Sequence, residues 1–293
     1  ASSMGPPNMP EWMAWLPTRT SMSPDATPRR LVVKVGTSTL TRETGSLNLQ
    51  NMEHLARVLA DLEGMGYQPV LVSSGAIGIG TKKLRLGERP TELRMKQAAA
   101  AVGQCRMMHI YDKLFAEYNR TVAQILLTGE DVESPVRSEH LHNTFEALLE
   151  LGVIPVVNEN DSVSSAEIET GQCKVLGDND TLSAIVARLC GAGLLVLFSD
   201  IDGLYDADPR THPDARLIHQ VEAITPELRA MAGGAGTWRG TGGMATKLNA
   251  AQLCREAGVD MVIANGARME ALYDIVEGKN VGTRFSARRG ALQ

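Results

Sequence analysis

From residue 31 onward, short apolar runs alternate with longer amphipathic stretches. LVVKV (31–35) is apolar except for Lys34 and ends in Gly36-Thr37-Ser38, which reads as a buried strand entering a turn. In NMEHLARVLADLEGMG, Met52, Leu55, Val58, Leu59 and Leu62 recur at helical spacing on one face, and Gly64 and Gly66 act as stop signals. PVLVSSGA (69–76) repeats the pattern of a strand followed by a small-residue turn. Further strands are predicted at VAQILL (122–127), VIPVVNE (153–159), LLVLFSD (194–200) and VDMVIAN (259–265), with helices around 92–118, 138–150, 180–190 and 244–257. Strands alternating with helices predict an α/β protein, built on a mainly parallel sheet covered on both faces.

Residues 1–29 differ from this pattern. They are rich in proline and show neither helical periodicity nor the apolar core of a secretory signal, so they read as a disordered leader. The opening ASSM has the look of a tag remnant ahead of Met4. No apolar run approaches the ~18 residues of a membrane span, and a cytoplasmic setting is expected. Cys105, Cys173, Cys190 and Cys254 are far apart and form no Cys-x-x-Cys pair, which disfavours a disulfide scaffold or a zinc site. Net charge is −5 with the basic residues scattered, whereas a nucleic-acid binder usually carries a basic stripe. Arg284, Arg288 and Arg289 near the tail read as a solvated end.

Polar clusters gather where the predicted strands finish. Lys34-Val-Gly36-Thr-Ser38, Ser73-Ser74-Gly75, Asn158-Glu-Asn160-Asp161 and Ser199-Asp200-Ile-Asp202-Gly203 all stand at carboxyl ends. In open α/β sheets this is where ligands bind. Each cluster also has an ordinary reading. Ser73-Ser74-Gly75 suits a helix cap, or an anion site at a helix N-terminus. In GDNDTLSA (177–184), Asp178, Asn179 and Asp180 could cap a helix and favour its dipole, or face a crevice and position a substrate or a lysine. Lys34 is harder to explain structurally, because an ammonium near the end of an apolar strand must reach water or an anion.

The glycine-rich stretch GTGGMATK (240–247) has the materials of a phosphate loop in a spacing that is not Walker's: Lys247 stands four residues past Gly243. SDIDGLYDADP fails as a calcium loop, Gly-x-Ser-x-Gly is absent, and VKVGTSTLTR is no dinucleotide fingerprint. Two lysines, glycine-rich backbone and no covalent nucleophile suggest phosphoryl transfer, which asks a protein chiefly for positioning and positive charge. The residues alone lead to a nucleotide-dependent kinase of a small anionic substrate.

The ordered set VVKVGTSTL, LVSSGAIGIG, QAAAAVGQ, PVVNENDSV, GDNDTLSA, SDIDGLYDADPR and GTGGMATKLNAA resembles the amino acid kinase family, and within it the glutamate kinases. The likeness runs from about Leu31 to Phe285. It implies an α/β/α sandwich over residues 30–290, with a glutamate-binding half (about 30–178) and an ATP-binding half (about 179–290). The chain leaves no room for the C-terminal PUA domain of many bacterial members. The resemblance implies transfer of the ATP γ-phosphoryl, with Mg²⁺, to the side-chain carboxylate of L-glutamate, at the start of proline synthesis. Lys34 and Lys247 would flank the moving group, and Asp180 would hold both lysines. Ser74, Asp161 and Asn179 would bind glutamate. Ser199, Asp200 and the loop Thr241, Gly242, Gly243, Met244, Ala245, Thr246 and Lys247 would bind ATP. Feedback inhibition by L-proline and a homo-oligomer, dimer or tetramer, are further family expectations. The alternatives are a sibling kinase with another carboxylate or phosphate acceptor, and a nucleotide-sensing relative without catalysis.

Overall fold

The computed structural model describes residues 29–42, 46–164, 176, 178–209, 211–232 and 243–287. The leader to residue 28, Cys173, Thr241, Gly242, Arg288 and Arg289 lie outside them. Among the described residues, eight strands form one sheet: β1 (Arg30–Val35), β2 (Gln68–Ser73), β3 (Val122–Leu127), β4 (Ile154–Glu159), β5 (Leu194–Ser199), β6 (Gln220–Val221), β7 (Asp260–Asn265) and β8 (Thr283–Phe285). Their order is β3-β4-β2-β1-β5-β7-β8-β6, and every neighbouring pair is parallel except β7 with β8. The helices are α1 (Thr37–Leu40), α2 (Leu49–Gly64), α3 (Ala76–Lys83), α4 (Leu93–Ala116), α5 (Gly129–Glu133), α6 (Pro135–Glu150), α7 (Asn179–Leu189), α8 (Pro226–Ala232), α9 (Met244–Glu256) and α10 (Ala271–Val276). No helix among the described residues is long and apolar enough to cross a membrane.

Side chains alternate across a strand, so each central strand feeds two cores. Leu31, Val33 and Val35 of β1 pack with Met52, Leu55 and Leu59 of α2, Tyr111 and Phe115 of α4, and Leu272 of α10. Val32 faces the other way, into a core with Phe145 of α6, Leu182 and Ile185 of α7, and Leu248 and Ala251 of α9. The result is the expected α/β/α sandwich. The same alternation places Lys34 on the α7–α9 side of the sheet, two residues beyond Val32.

Among the departures from the sequence reading, two bear on how the crevice is built or how its neighbours pack. α6 begins at Pro135 rather than near 138, because Ser134 accepts from the Arg137 amide (3.4 Å) and Pro135 suits the first helical position. α3 escapes a periodicity search, since AIGIGTKK carries two glycines and each lowers helix propensity. Its stability comes from packing on α4. A Cβ on Gly80 would stand 1.7 Å from the Ala99 carbonyl oxygen, and one on Gly103 would stand 1.7 Å from that of Ala76.

This contact fixes how far the hairpin projects. α4 ends near the amino edge of the sheet, where Ile154 pairs with Thr121, while Gly103 lies against Ala76 just past the carboxyl end of β2. At 1.5 Å per residue, the ten residues before Gly103 overhang the carboxyl edge by about 15 Å. α3 rises beside them, and residues 84–92 form the tip.

A substitution at Gly80 should therefore differ from one at its neighbour Gly78, where an added Cβ meets nothing within 4 Å. Gly80→Ala must push two backbones apart and is expected to cost about 1–3 kcal/mol, several degrees in Tm by calorimetry. Gly78→Ala gains helix propensity and should melt no lower than wild type. Equal melting of Gly80→Ala and wild type would rule out the close approach.

Candidate active site

A crevice of about 600 Å³ opens at the carboxyl ends of β1, β2, β4 and β5. The chain fills one side of β1 with β2, β3 and β4, then crosses to the other side with β5. That reversal leaves the strand ends uncovered, the usual position for a ligand in an open α/β sheet.

Three buried charges form its floor. Lys34 comes from β1, Asp180 is the second residue of α7 and Lys247 is the fourth residue of α9; their exposures are 8%, 1% and 5%. α7 starts where it does because Asp178 caps it, accepting from the amides of Asp180 (2.8 Å) and Thr181 (2.9 Å). α7 and α9 share one core, which brings their N-termini together. Lys34 Nζ then stands 2.9 Å from Asp180 Oδ1, and Lys247 Nζ 3.1 Å from Oδ2. Thr246 Oγ1 also donates to Oδ2, at 2.8 Å. The Lys34 contact is an ion pair rather than an aligned hydrogen bond, since Oδ1 has no hydrogen-bond partner. Burial alone would raise the Asp180 pKa; the two ammonium groups and the Thr246 hydroxyl outweigh it and hold the carboxyl below its ordinary value.

The cluster carries two positive charges and one negative, beneath two helix N-termini. Buried charge of one sign is costly, and helix N-termini attract anions, so the floor is built to receive an anion.

The other expected residues fall into place unevenly. Ser74, Asp161, Asn179, Ser199 and Asp200 all line the crevice. Ser74 does not cap α3: its hydroxyl donates to the Val35 carbonyl (3.3 Å), and Gly75, with φ of +101°, is the cap residue. That left-handed turn, which glycine tolerates, leads into the first residues of α3, Ala76, Ile77 and Gly78, which line the crevice. Ser73 is excluded, its hydroxyl buried against Tyr111 OH at 2.8 Å. Ser199 Oγ donates to Asp200 Oδ1 (3.1 Å). In the glycine-rich loop, Lys247 alone of the described residues lines the crevice. Gly243 caps α9, Ala245 is exposed, and the Thr246 hydroxyl contacts Asp180 and the Gly243 carbonyl. Met244 is 1% exposed and packs in the core, so its side chain is turned from the crevice.

Several lining residues were not singled out as binding groups. Gly36, Thr37, Ser38, Asn158 and Glu159 belong to the strand-end clusters and could have been included on that ground. Asp178 both caps a helix and faces the crevice, so its two readings are compatible. Arg89 carried no signal, because it sits in the hairpin tip far from every cluster in sequence. A second cavity of about 540 Å³ lies on the opposite layer, lined by Arg57, Asp61, Tyr118, Arg120, Glu270 and Tyr273. Its polar groups satisfy one another, as in Tyr273 OH to Asp61 (2.7 Å) and Arg57 to Glu270 (3.5 Å), so it has no comparable demand for an anion.

A three-layer sandwich with a lysine–aspartate–lysine floor at its switch point defines a class, and the sequence profile of the amino acid kinase family matches residues 29–265. The chain belongs to the amino acid kinase family. Among its relatives, a protein named glutamate 5-kinase from Clostridium perfringens is 54% identical over 262 residues, 89% of this chain and 97% of that one. One of the same name from Clostridium tetani is 56% identical over 259 residues, 88% and 95% of the two chains. A third, from Listeria innocua, is 50% identical over 261 residues, 89% and 94%. Solved structures sharing the fold include carbamate kinase from Giardia lamblia bound to AMP-PNP (TM-score 0.63, 15% identity, 88% of this chain and 98% of that one). UMP kinase from Bacillus anthracis is another (TM-score 0.61, 16% identity, 89% and 97%).

The charge cluster has a pH signature. A carboxyl whose folded pKa is depressed adds stability above its unfolded value, near 3.9, and loses it as pH falls through the folded value. Removing one partner of a buried pair costs about 3–5 kcal/mol. In urea titrations, Asp180→Asn should therefore be destabilised by about that amount at pH 7, and its gap from wild type should narrow below about pH 4. A gap of constant size across that range would mean that Asp180 is not the ionised partner of the lysines.

Proposed function

We propose that the protein transfers the γ-phosphoryl group of ATP to the side-chain carboxylate of L-glutamate, giving L-glutamyl 5-phosphate at the start of proline synthesis. The observation that carries phosphoryl transfer is the buried Lys34–Asp180–Lys247 cluster at the crevice floor. The choice of glutamate is supported by relatives of that name at 50–56% identity over nearly their whole length.

The reaction suits these groups. The acceptor carboxylate is ionised at neutral pH, so no general base has to remove a proton. One of its oxygens bonds to the γ-phosphorus while the bond to the β–γ bridging oxygen breaks, and ADP leaves with that electron pair. The protein must bring two anions together and neutralise the charge spread over the transferred group. Lys34 approaches it from the sheet and Lys247 from a helix N-terminus. Asp180 fixes both ammonium groups in advance, so little reorganisation remains for the transition state.

In this reading Ser74, Asp161 and Asn179 bind glutamate, with Asp161 accepting from its α-ammonium. Ser199, Asp200 and residues 241–247 bind ATP. Mg²⁺ would arrive on the nucleotide phosphates, its usual mode, since no three His, Cys, Asp or Glu side chains among the described residues gather to hold a metal. Inhibition by L-proline and assembly into a dimer or tetramer rest on the family resemblance.

With Mg-ATP and L-glutamate, hydroxylamine should trap the acyl phosphate as a hydroxamate. Aspartate, acetylglutamate and UMP tested in parallel should give far less ADP, and a stronger signal from any of them would transfer the assignment to a sibling activity. Lys34→Ala and Lys247→Ala should each lower kcat by ~10²–10³, whereas near-normal kcat would remove that lysine from the chemistry.

Asp161→Ala separates a substrate contact from a turn residue. Truncating one partner of a desolvated charge pair costs ~2–5 kcal/mol, so KM for glutamate should rise at least about 30-fold while KM for ATP moves much less. An unchanged KM for glutamate in the folded variant would exclude the contact.

A further inference from the structure

We infer that Arg89 is a specificity-determining residue that binds the non-reacting carboxylate of the acceptor substrate; this rests on the function proposed above. The charged groups lining the crevice are Lys34, Arg89, Lys247 and five carboxylates, those of Glu159, Asp161, Asp178, Asp180 and Asp200. Most are already engaged. Lys34 and Lys247 share Asp180, Asp178 caps α7, Glu159 accepts from Ser164 (2.8 Å) and Asp200 from Ser199. Arg89 is exposed and makes no hydrogen bond or ion pair with a described residue. Among the described lining residues it is the one cation left for a ligand.

Its position decides which ligand. Arg89 lies at the tip of the α3–α4 hairpin, which overhangs the β2–β4 side of the crevice. Lys247 belongs to α9, which packs on α7 and β7, on the other side of β1 from β2. An amino dicarboxylate presents three charges: the reacting carboxylate belongs at the lysines, and the ammonium beside a carboxylate such as Asp161. The second carboxylate would meet mostly acidic walls, and among the described lining residues only Arg89 offers it a counter-charge from this side. Guanidinium matches a carboxylate in two parallel hydrogen bonds, and a long side chain on an overhanging tip can reach down to a bound ligand.

Arg89→Ala should raise KM for glutamate about tenfold or more, the range for a hydrogen bond to a charged group, with much smaller changes in kcat and in KM for ATP. Arg89→Lys keeps the charge without the fork and should fall between. The discriminating substrate is 4-aminobutyrate, which is glutamate without its α-carboxylate. Wild type should favour glutamate in kcat/KM, and Arg89→Ala should narrow that preference at least about tenfold. Arg89 has no hydrogen-bond or ion-pair partner among the described residues, so its variants should melt with wild type. An Arg89→Ala enzyme with wild-type KM and preference overturns the proposal, as does one in which KM for ATP rises instead. A wild-type protein that fails to turn over glutamate overturns the underlying function, and this inference with it.

Discussion

A carboxylate with 1% exposure between two ammonium groups is the constraint on which the rest of the site depends. Asp180 can remain ionised there because Lys34 and Lys247 compensate its lost hydration, and the lysines can remain buried because Asp180 holds them. None of the three is tolerable alone. The cluster therefore ties three elements, β1, α7 and α9, to one point, with Thr246 adding a third contact to Asp180. The excess positive charge left over is what a transferring phosphoryl group would meet.

The fold supplies that point through ordinary packing. β1 is central, so Lys34 is flanked by β2 and β5 and is almost wholly buried. α7 and α9 lie side by side on one face because Leu182, Ile185, Leu248 and Ala251 fill the same core. Their N-termini then converge above the strand ends. The opposite layer serves a different purpose: the glycine contacts between α3 and α4 let a long helix run past the sheet and build one wall of the crevice. Both layers thus contribute to the crevice, α7 and α9 its floor and the α3–α4 hairpin one wall, while each also packs a core against the sheet.

What each residue type reports is uneven. Most strand positions were legible because a buried parallel strand is a short apolar run, and β3, VAQILL, coincides with Val122–Leu127. The long helices were legible by period: the five apolar positions assigned to one face of α2 are all buried. β8 is three residues long and α3 carries two glycines, so neither gives a periodic signal. Within the stretch read as GTGGMATK, Met244 is turned into the core and Lys247 reaches the crevice, a difference that the string of residues does not show.

By itself the sequence determined the alternation of strands and helices and the placing of polar clusters at strand ends, and its resemblance to the amino acid kinase family named Lys34, Asp180 and Lys247 as a set. These are local or motif-level facts, written in hydrophobic period and in short strings. Tertiary structure decided which of those clusters meet: Ser73 is claimed by Tyr111, while Ser74 one residue later faces the crevice. It also decided that Arg89, unremarkable in sequence, stands over the same space. The reason is physical. Strand order and the length of the overhanging helix pair set distances between residues far apart in the chain, and no periodicity in the sequence encodes them.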